Sequence, residues 1–394
     1  MRILVVHEHY RQTGGEDEVF SCETRLLRDR GHTVECLVAD NRSIDVTPFS
    51  SVGLALGTVW SRSSYRAMRA LLRKTRPDLV HFHNTFPLLS PAVYYAAKTD
   101  GCPVVQTLHN YRILCPAATL FRDGRPCEDC LGRTPWPAVR HACYRQSRAA
   151  TAVVAAMLSL HRLARTWTDK VDIYVALTDF ALEVLARGGL PREKMVVKAN
   201  FIDLDPGVGA HTGGYALFVG RLSEEKGIQT LLRAWSLLQA RLPLKIVGDG
   251  PLAGMTDGRR DGRGKVEWLG LQTPATVLAL MKDAHVLVFP SVWYEGFPRV
   301  IVEAYATGLP VLAANVGSMS TLVSNGHTGL HFAPGDPSDL AEKATWAFEH
   351  PDEILKMGQS ARRRFEAQLS PDRGYEALMA VYALAIDRVR RGRA

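Results

Sequence analysis

The chain has 394 residues, 46% of them hydrophobic and 22% charged, with a net charge of +8. That balance excludes a small disulfide scaffold, a collagen-like chain and a wholly disordered one. The length exceeds the roughly 250–300 residues that one core serves, so two domains are expected.

The first ten residues, MRILVVHEHY, hold a short apolar run that reads as a buried strand over 3–6 rather than a signal-peptide core. The longest apolar stretch, 149–160, spans 12 residues, short of the roughly 20 that a membrane-spanning helix needs. A cytoplasmic protein is expected. Further continuous apolar runs predict strands over 34–38, 79–83, 104–108 and 174–178, then 216–219, 244–247, 266–269, 286–289 and 311–313. Such runs fit parallel strands buried on both faces. Helix-like stretches between them predict two doubly wound α/β domains. Five Gly or Pro between Asp203 and Gly214 mark an interdomain linker. The expected layout is 1–202, linker 203–214, 215–372, and a final helix over 373–394 with Tyr375, Leu378, Met379, Tyr382, Ile386 and Val389 on one face.

Charge is uneven. Residues 1–206 carry 27 Lys+Arg against 21 Asp+Glu, or +6, and the remainder 21 against 19, or +2. This suits phosphate-bearing ligands or an anionic membrane surface, although a merely solvated basic surface has the same composition. Basic and aromatic residues are not interleaved as in RNA-binding proteins, so a nucleic-acid partner is not expected. In Trp60–Pro77, Arg62, Arg66, Arg69 and Arg73 recur at helical spacing, with Tyr65, Met68, Leu71 and Leu72 forming the opposite stripe. That pattern fits a surface helix with solvated cations, and its basic face could also meet an anionic leaflet.

Chemistry concentrates at strand ends. Gly14-Gly15 follows the first strand and precedes a helix, where backbone N–H groups can meet an anion. It lacks the full dinucleotide fingerprint. Gly220-Arg221 and Lys226 flank a turn after 216–219, pairing a planar donor fork with a compact charge. Gly248-Asp-Gly makes a tight turn after 244–247. The segment from Tyr294 to Pro310 places Glu295 in a loop, Gly296, Phe297 and Pro298 at a helix start, and Glu303 inside that helix. Two carboxylates flanking an anion-attracting helix start match the needs of a nucleotide-sugar. His83-Asn84 and His109-Asn110 end two strands of the first half, with His109 the better candidate for work on a substrate hydroxyl.

Together these motifs resemble the retaining family-4 glycosyltransferases of the GT-B fold, in a branch that builds bacterial polysaccharides. The resemblance covers nearly the whole chain. It implies two Rossmann-like domains facing across a cleft, with the last helix crossing back to the first. It further implies a UDP- or GDP-sugar donor, a saccharide or lipid-linked acceptor, and transfer with retention without a divalent metal. Arg221 and Lys226 would hold the diphosphate and Glu295 the donor sugar. Glu303 would hold the ribose, and Gly296, Phe297 and Pro298 would lie along sugar and phosphates. Gly15 would approach the diphosphate, and His109 would sit near the acceptor. A nucleotide-sugar epimerase of the same architecture is the competing enzyme reading, and a basic membrane- or nucleic-acid-binding protein the non-enzymatic one.

Outside that pattern stand Cys115, Cys127, Cys130 and Cys143, spaced C-x11-C-x2-C-x12-C. Four thiolates at such spacing can hold a structural Zn²⁺, although unligated thiols in a packed loop fit it as well.

Overall fold

The computed structural model describes residues 1–10, 14–43, 48–238, 242–256 and 266–392. The chain forms two compact units. The first comprises Met1–Leu120, Cys127–Asp203 and Pro371–Ala394, the second Phe121–Pro126 and Leu204–Ser370.

In chain order the first strands are β1 (Arg2–His9), β2 (Thr33–Asp40), β3 (Leu79–Phe82) and β4 (Val104–Leu108). A two-stranded hairpin follows, β5 (Phe121–Arg122) and β6 (Arg125–Pro126), then β7 (Ile173–Ala176) and β8 (Met195–Val197). The first unit holds a six-stranded sheet in the order β2-β1-β3-β4-β7-β8, with every pairing parallel. β3 stops one residue before His83, and β7 stops at Ala176 because Thr178 caps the next helix, accepting from the Ala181 N–H. β8 carried no strand signal: it is three residues long and its last, Val197, is 42% exposed.

The final helix, Pro371–Arg391, buries Leu378, Val381, Tyr382 and Ala385 in the core of the first unit, against Ile3, Val5, Leu79, Val105 and Ile173. Leu378 and Val381 each contribute about 1.5–3 kcal/mol when fully buried, which helps hold the helix on this sheet.

The second unit repeats the design with β9 (Ala216–Val219), β10 (Leu244–Val247), β11 (Val266–Gly270), β12 (Val286–Phe289), β13 (Val311–Ala314) and β14 (Gly329–Phe332). Their order is β11-β10-β9-β12-β13-β14, again all parallel. Phe218, Ile228, Trp235, Val288, Leu312, Leu340 and Met357 anchor its core. The glycine-rich stretch at 207–213 is pinned to this unit rather than loose. Gly209 N–H donates to Thr307 O, His211 N–H to Lys282 O and Gly213 N–H to Asp283 O, each at 2.9 Å. Both units are doubly wound parallel sheets, the α/β architecture expected of the sequence.

Candidate active site

In each sheet the chain reverses its direction of winding beside one strand. β2 and β3 flank β1, and β10 and β12 flank β9. Ligands of open parallel sheets collect beyond the carboxyl ends of the strands at such switch points. In the second unit that position is occupied by the turn after β9 and the loop after β12, which hold Arg221, Lys226 and Glu295.

These two segments are stitched together. Val292 N–H and the Ser291 hydroxyl donate to Glu225 O at 2.9 and 3.1 Å. Lys226 Nζ donates to Glu295 Oε1 at 2.6 Å, and the Ser291 hydroxyl reaches the same oxygen at 2.5 Å. Glu295 is 5% exposed, and Ser318, itself buried, donates to its backbone carbonyl at 2.8 Å. Lys226 lies 5.7 Å from the Phe289 ring centroid and 5.6 Å from that of Trp293. Its ammonium has three donors, and among the described residues it forms one hydrogen bond, to Glu295. Arg221 is exposed, and among the described residues no ion pair involves it. The sequence pattern did not single out Ser291 or Ser318; isolated serines carry no periodic signal.

Two glycines make the approach possible. Gly248 has φ +136°, and a Cβ there would sit 1.9 Å from Gly220 O. Gly227, at φ +70°, would place a Cβ 1.9 Å from Pro290 O. Leu222 N–H then donates to Asp249 O at 2.9 Å, locking the Gly220–Arg221 turn against the Gly248-Asp-Gly turn.

The helix after the loop spans Arg299–Thr307 and ends at Gly308 in the left-handed conformation. Pro298 is its N-cap rather than a first-turn residue, with extended backbone at φ −75° and ψ 115°. Gly296 lies beside buried Phe297 and Pro298. Glu303, partly buried, lies one turn into the helix, 3.7 Å from Arg299.

In the first unit, His83, Asn84, His109 and Asn110 all line one cavity of about 60 Å³, together with Arg112 and Trp167 among others. Asn84 has a structural task there: its amide donates to Glu8 O at 2.7 Å and its carbonyl accepts from Phe86 N–H. Asn110 donates to Glu16 Oε2 at 3.1 Å and accepts from Arg112 N–H at 3.0 Å. Loss of water contact, with Asp17 nearby, pushes the Glu16 carboxyl up to about 8. Burial likewise pushes Glu8 up to about 7, against hydrogen bonds from the N–H groups of Leu89 and Leu88. His109 is partly exposed, and burial of its ring with His7 and His81 nearby holds its pKa well below the ordinary histidine range.

Gly15 starts the helix Gly15–Asp29, and Gly14 is its N-cap. The Gly14 N–H donates to Asp17 Oδ2 at 2.7 Å, so that donor is engaged and not directed at a ligand. Asp17 also accepts from His7 and His9 at 2.8 and 2.6 Å. Burial opposes its charge, but the hydrogen bonds from His7, Gly14 and His9 outweigh it and lower its pKa to about 2.

No disulfide joins the cysteines among the described residues. Burial pushes the Cys130 thiol up to about 11, and Cys115, Cys143 and Cys127 lie near enough to add to the rise. Among the described residues, the sets of three ligand atoms that meet within 4.8 Å are His7–His9–Asp17 and Glu23–His81–His83, not the cysteines. The helix Arg62–Thr75 forms as expected, with Arg62, Arg66 and Arg73 exposed. Arg69 departs from that row. It pairs with Asp100 at 2.7 Å and donates to Tyr65 because it turns toward the neighbouring helix. Among the described residues no helix is long and apolar enough to cross a membrane.

Residues 23–206 match the model of glycosyltransferase family 4, and residues 207–364 that of glycosyl transferases group 1. The glycogen synthase of Mycobacterium tuberculosis is 28% identical over 340 residues, covering 84% of this chain and 75% of that one. HepE of Anabaena, solved in complex with UDP and glucose, superposes with a TM-score of 0.67 at 16% identity, covering 97% of this chain and 99% of that one. The sucrose-phosphate synthase of Thermosynechococcus elongatus does so at 0.70 and 17%, covering 97% and 98%. With two parallel Rossmann-like sheets and both halves matched, the chain belongs to the family-4 glycosyltransferases of the GT-B fold.

Proposed function

We propose that the protein moves a sugar, with retention, from a nucleotide-sugar to a saccharide or lipid-linked saccharide during polysaccharide or cell-envelope assembly. The observation that carries this is the Lys226–Glu295–Ser291 cluster at the switch point of the second sheet. A sugar nucleotide presents hydroxyls for a buried carboxylate and a diphosphate for cations. Glu295 takes the donor-sugar hydroxyls, and Arg221 with Lys226 takes the diphosphate. As the C1–O bond to the diphosphate breaks, negative charge grows on the leaving oxygen, where fixed cations stabilise it most. Gly220, Gly248, Gly296, Phe297 and Pro298 offer backbone along the ligand, and Glu303 accepts from the ribose hydroxyls. That positive potential lets the reaction run without a divalent ion. HepE, whose solved complex holds UDP and glucose, supports a UDP-sugar donor over a GDP-sugar.

In the first unit, the cavity bearing His83 and His109 is assigned to the acceptor side, with Gly15 offering its backbone to an anionic substrate group. Arg62, Arg66 and Arg73 draw the protein to anionic lipid at the inner membrane face. The spacing of the four cysteines fits a structural Zn²⁺, but among the described residues their sulfur atoms are not gathered as a ligand set.

A panel of sugar nucleotides screened by thermal shift, followed by product analysis with the labelled donor, tests the central reading. Stabilisation by one donor class and label on a glycan are expected. An epimerised sugar nucleotide without transfer overturns it.

A further inference from the structure

Behind His109 the first unit buries a polar chain that hydroxyl binding alone does not require. Lys198 Nζ donates to Glu23 Oε1 at 2.6 Å, with both side chains at most 2% exposed. Lys198 thus supplies the positive charge that a metal ion among Glu23, His81 and His83 would otherwise bring. Among the described residues the other carboxylate oxygen, Glu23 Oε2, has no hydrogen-bond partner, and neither has His83 Nε2. These two atoms face one another at 3.5 Å. The opposite nitrogen of the same ring, His83 Nδ1, is 3.0 Å from His109 Nε2. His81 Nδ1 lies farther from Glu23 Oε2, at 3.9 Å, and both ring nitrogens of His81 are engaged elsewhere. Its Nδ1 meets the Tyr382 hydroxyl at 2.9 Å and its Nε2 the Thr107 hydroxyl at 2.8 Å.

Proton accounting then sets the direction of the chain. The contact is too long for a full hydrogen bond, but a bare nitrogen there would set its lone pair against that of the carboxylate, so the His83 nitrogen facing Glu23 carries the proton. Burial and the neighbouring histidines keep His83 neutral, so its Nδ1 is bare. A bare Nδ1 accepts, so His109 Nε2 carries the proton between the two rings. Neutral His109 then has an unprotonated Nδ1.

We propose that Glu23 and His83 are positioning residues that hold His109 in its Nε2–H form, presenting Nδ1 as an acceptor to a substrate hydroxyl. The last clause rests on the reading of His109 as an acceptor-side residue; the tautomer itself does not. Lys198 makes the chain directional. In Glu23→Gln the Lys198 ammonium still demands an oxygen at the Oε1 position, which turns the amide nitrogen toward His83. A donor there forces His83 Nε2 bare and Nδ1 protonated, and the His109 proton moves to Nδ1.

The test is long-range ¹H–¹⁵N correlation of the full chain labelled in histidine, with the His109 signals identified by their loss in His109→Gln. The wild-type chain is expected to show Nε2–H and bare Nδ1 at His109, and Glu23→Gln to show the reverse. That exchange is expected to lower kcat about tenfold while KM for the donor stays within about twofold. A wild-type His109 protonated on Nδ1 overturns the relay, whether or not Glu23→Gln folds. A folded Glu23→Gln with unmoved His109 nitrogens overturns it too. Exchanged nitrogens with unchanged turnover leave the relay standing and overturn the acceptor-side reading of His109 instead.

Discussion

Lys226 and Glu295, 69 residues apart in the chain, meet at 2.6 Å with Glu295 almost fully buried. The pair lies at the carboxyl ends of adjacent strands, β9 and β12. It therefore sits beyond the strand ends and not within the sheet.

Glu295→Ala and Lys226→Ala are each expected to slow transfer by tens- to several-hundred-fold, the equivalent of about 2–4 kcal/mol of barrier. Because the two groups share a hydrogen bond, their effects are not additive. Steady-state rates of both single variants and the double variant check this. A double variant slowed by the product of the two single factors would show that they act independently.

Gly227→Ala and Gly248→Ala are expected to destabilise the second unit. Each sits at positive φ with a carbonyl oxygen 1.9 Å from the new Cβ. The backbone conformation alone costs about 1–3 kcal/mol, and the clash adds to it. Urea unfolding followed by tryptophan fluorescence measures the shift. An unchanged midpoint would rule out the close approach of the two turns.

The pH dependence of stability has a specific source in Glu16. Its folded pKa, about 8, lies above its ordinary value of 4.5. Between those values the folded chain binds more protons than the unfolded one, so stability falls as pH rises through that window. Glu16→Gln removes that part of the slope and leaves the part due to Glu8, whose pKa is raised to about 7. The variant is expected to match the wild type at pH 4 and to exceed it by a few kcal/mol at pH 9, since each pH unit is worth about 1.36 kcal/mol. Denaturant melts at the two pH values decide it. Equal differences at both would exclude Glu16 as the cause.

Activity is expected to survive brief exposure to EDTA, because Arg221, Lys226 and the Arg299–Thr307 helix supply the positive potential. Prompt loss restored by Mg²⁺ or Mn²⁺ would contradict this. Metal analysis of protein purified without added zinc tests the cysteine spacing, with about one Zn²⁺ per chain expected if the four thiolates are ligands. A folded, metal-free chain would remove the zinc reading and leave the transfer reading intact.

Liposome sedimentation addresses the arginine helix. Each basic residue near an anionic leaflet is worth about 1 kcal/mol. Arg62→Gln, Arg66→Gln and Arg73→Gln combined are therefore expected to reduce pelleting with anionic vesicles, and salt to weaken wild-type pelleting. Arg69 is retained because its partner is Asp100. Equal pelleting of both proteins, or of neither, would dismiss this surface.

The amino-acid sequence by itself determined the two α/β halves. Continuous apolar runs such as Leu217–Val219 and Val286–Phe289 are a local signal, because a strand covered on both faces needs no polar alternation. It also marked the turns that carry Arg221, Lys226 and Glu295 and the helix that carries Glu303, since glycine and proline punctuate strand and helix ends. Partnership across distance was decided only by the tertiary structure. Ser291 joins Lys226 on Glu295, Lys198 meets Glu23 across 175 residues, and Tyr382 reaches His81 across 301. Those contacts depend on which strands become neighbours, and a single side chain's pattern holds no record of that. The sequence likewise gave no warning that Arg69 would turn to Asp100, or that the Gly14 N–H would be spent on Asp17. Helical spacing places a residue on a face, while the neighbour on that face belongs to the packed fold.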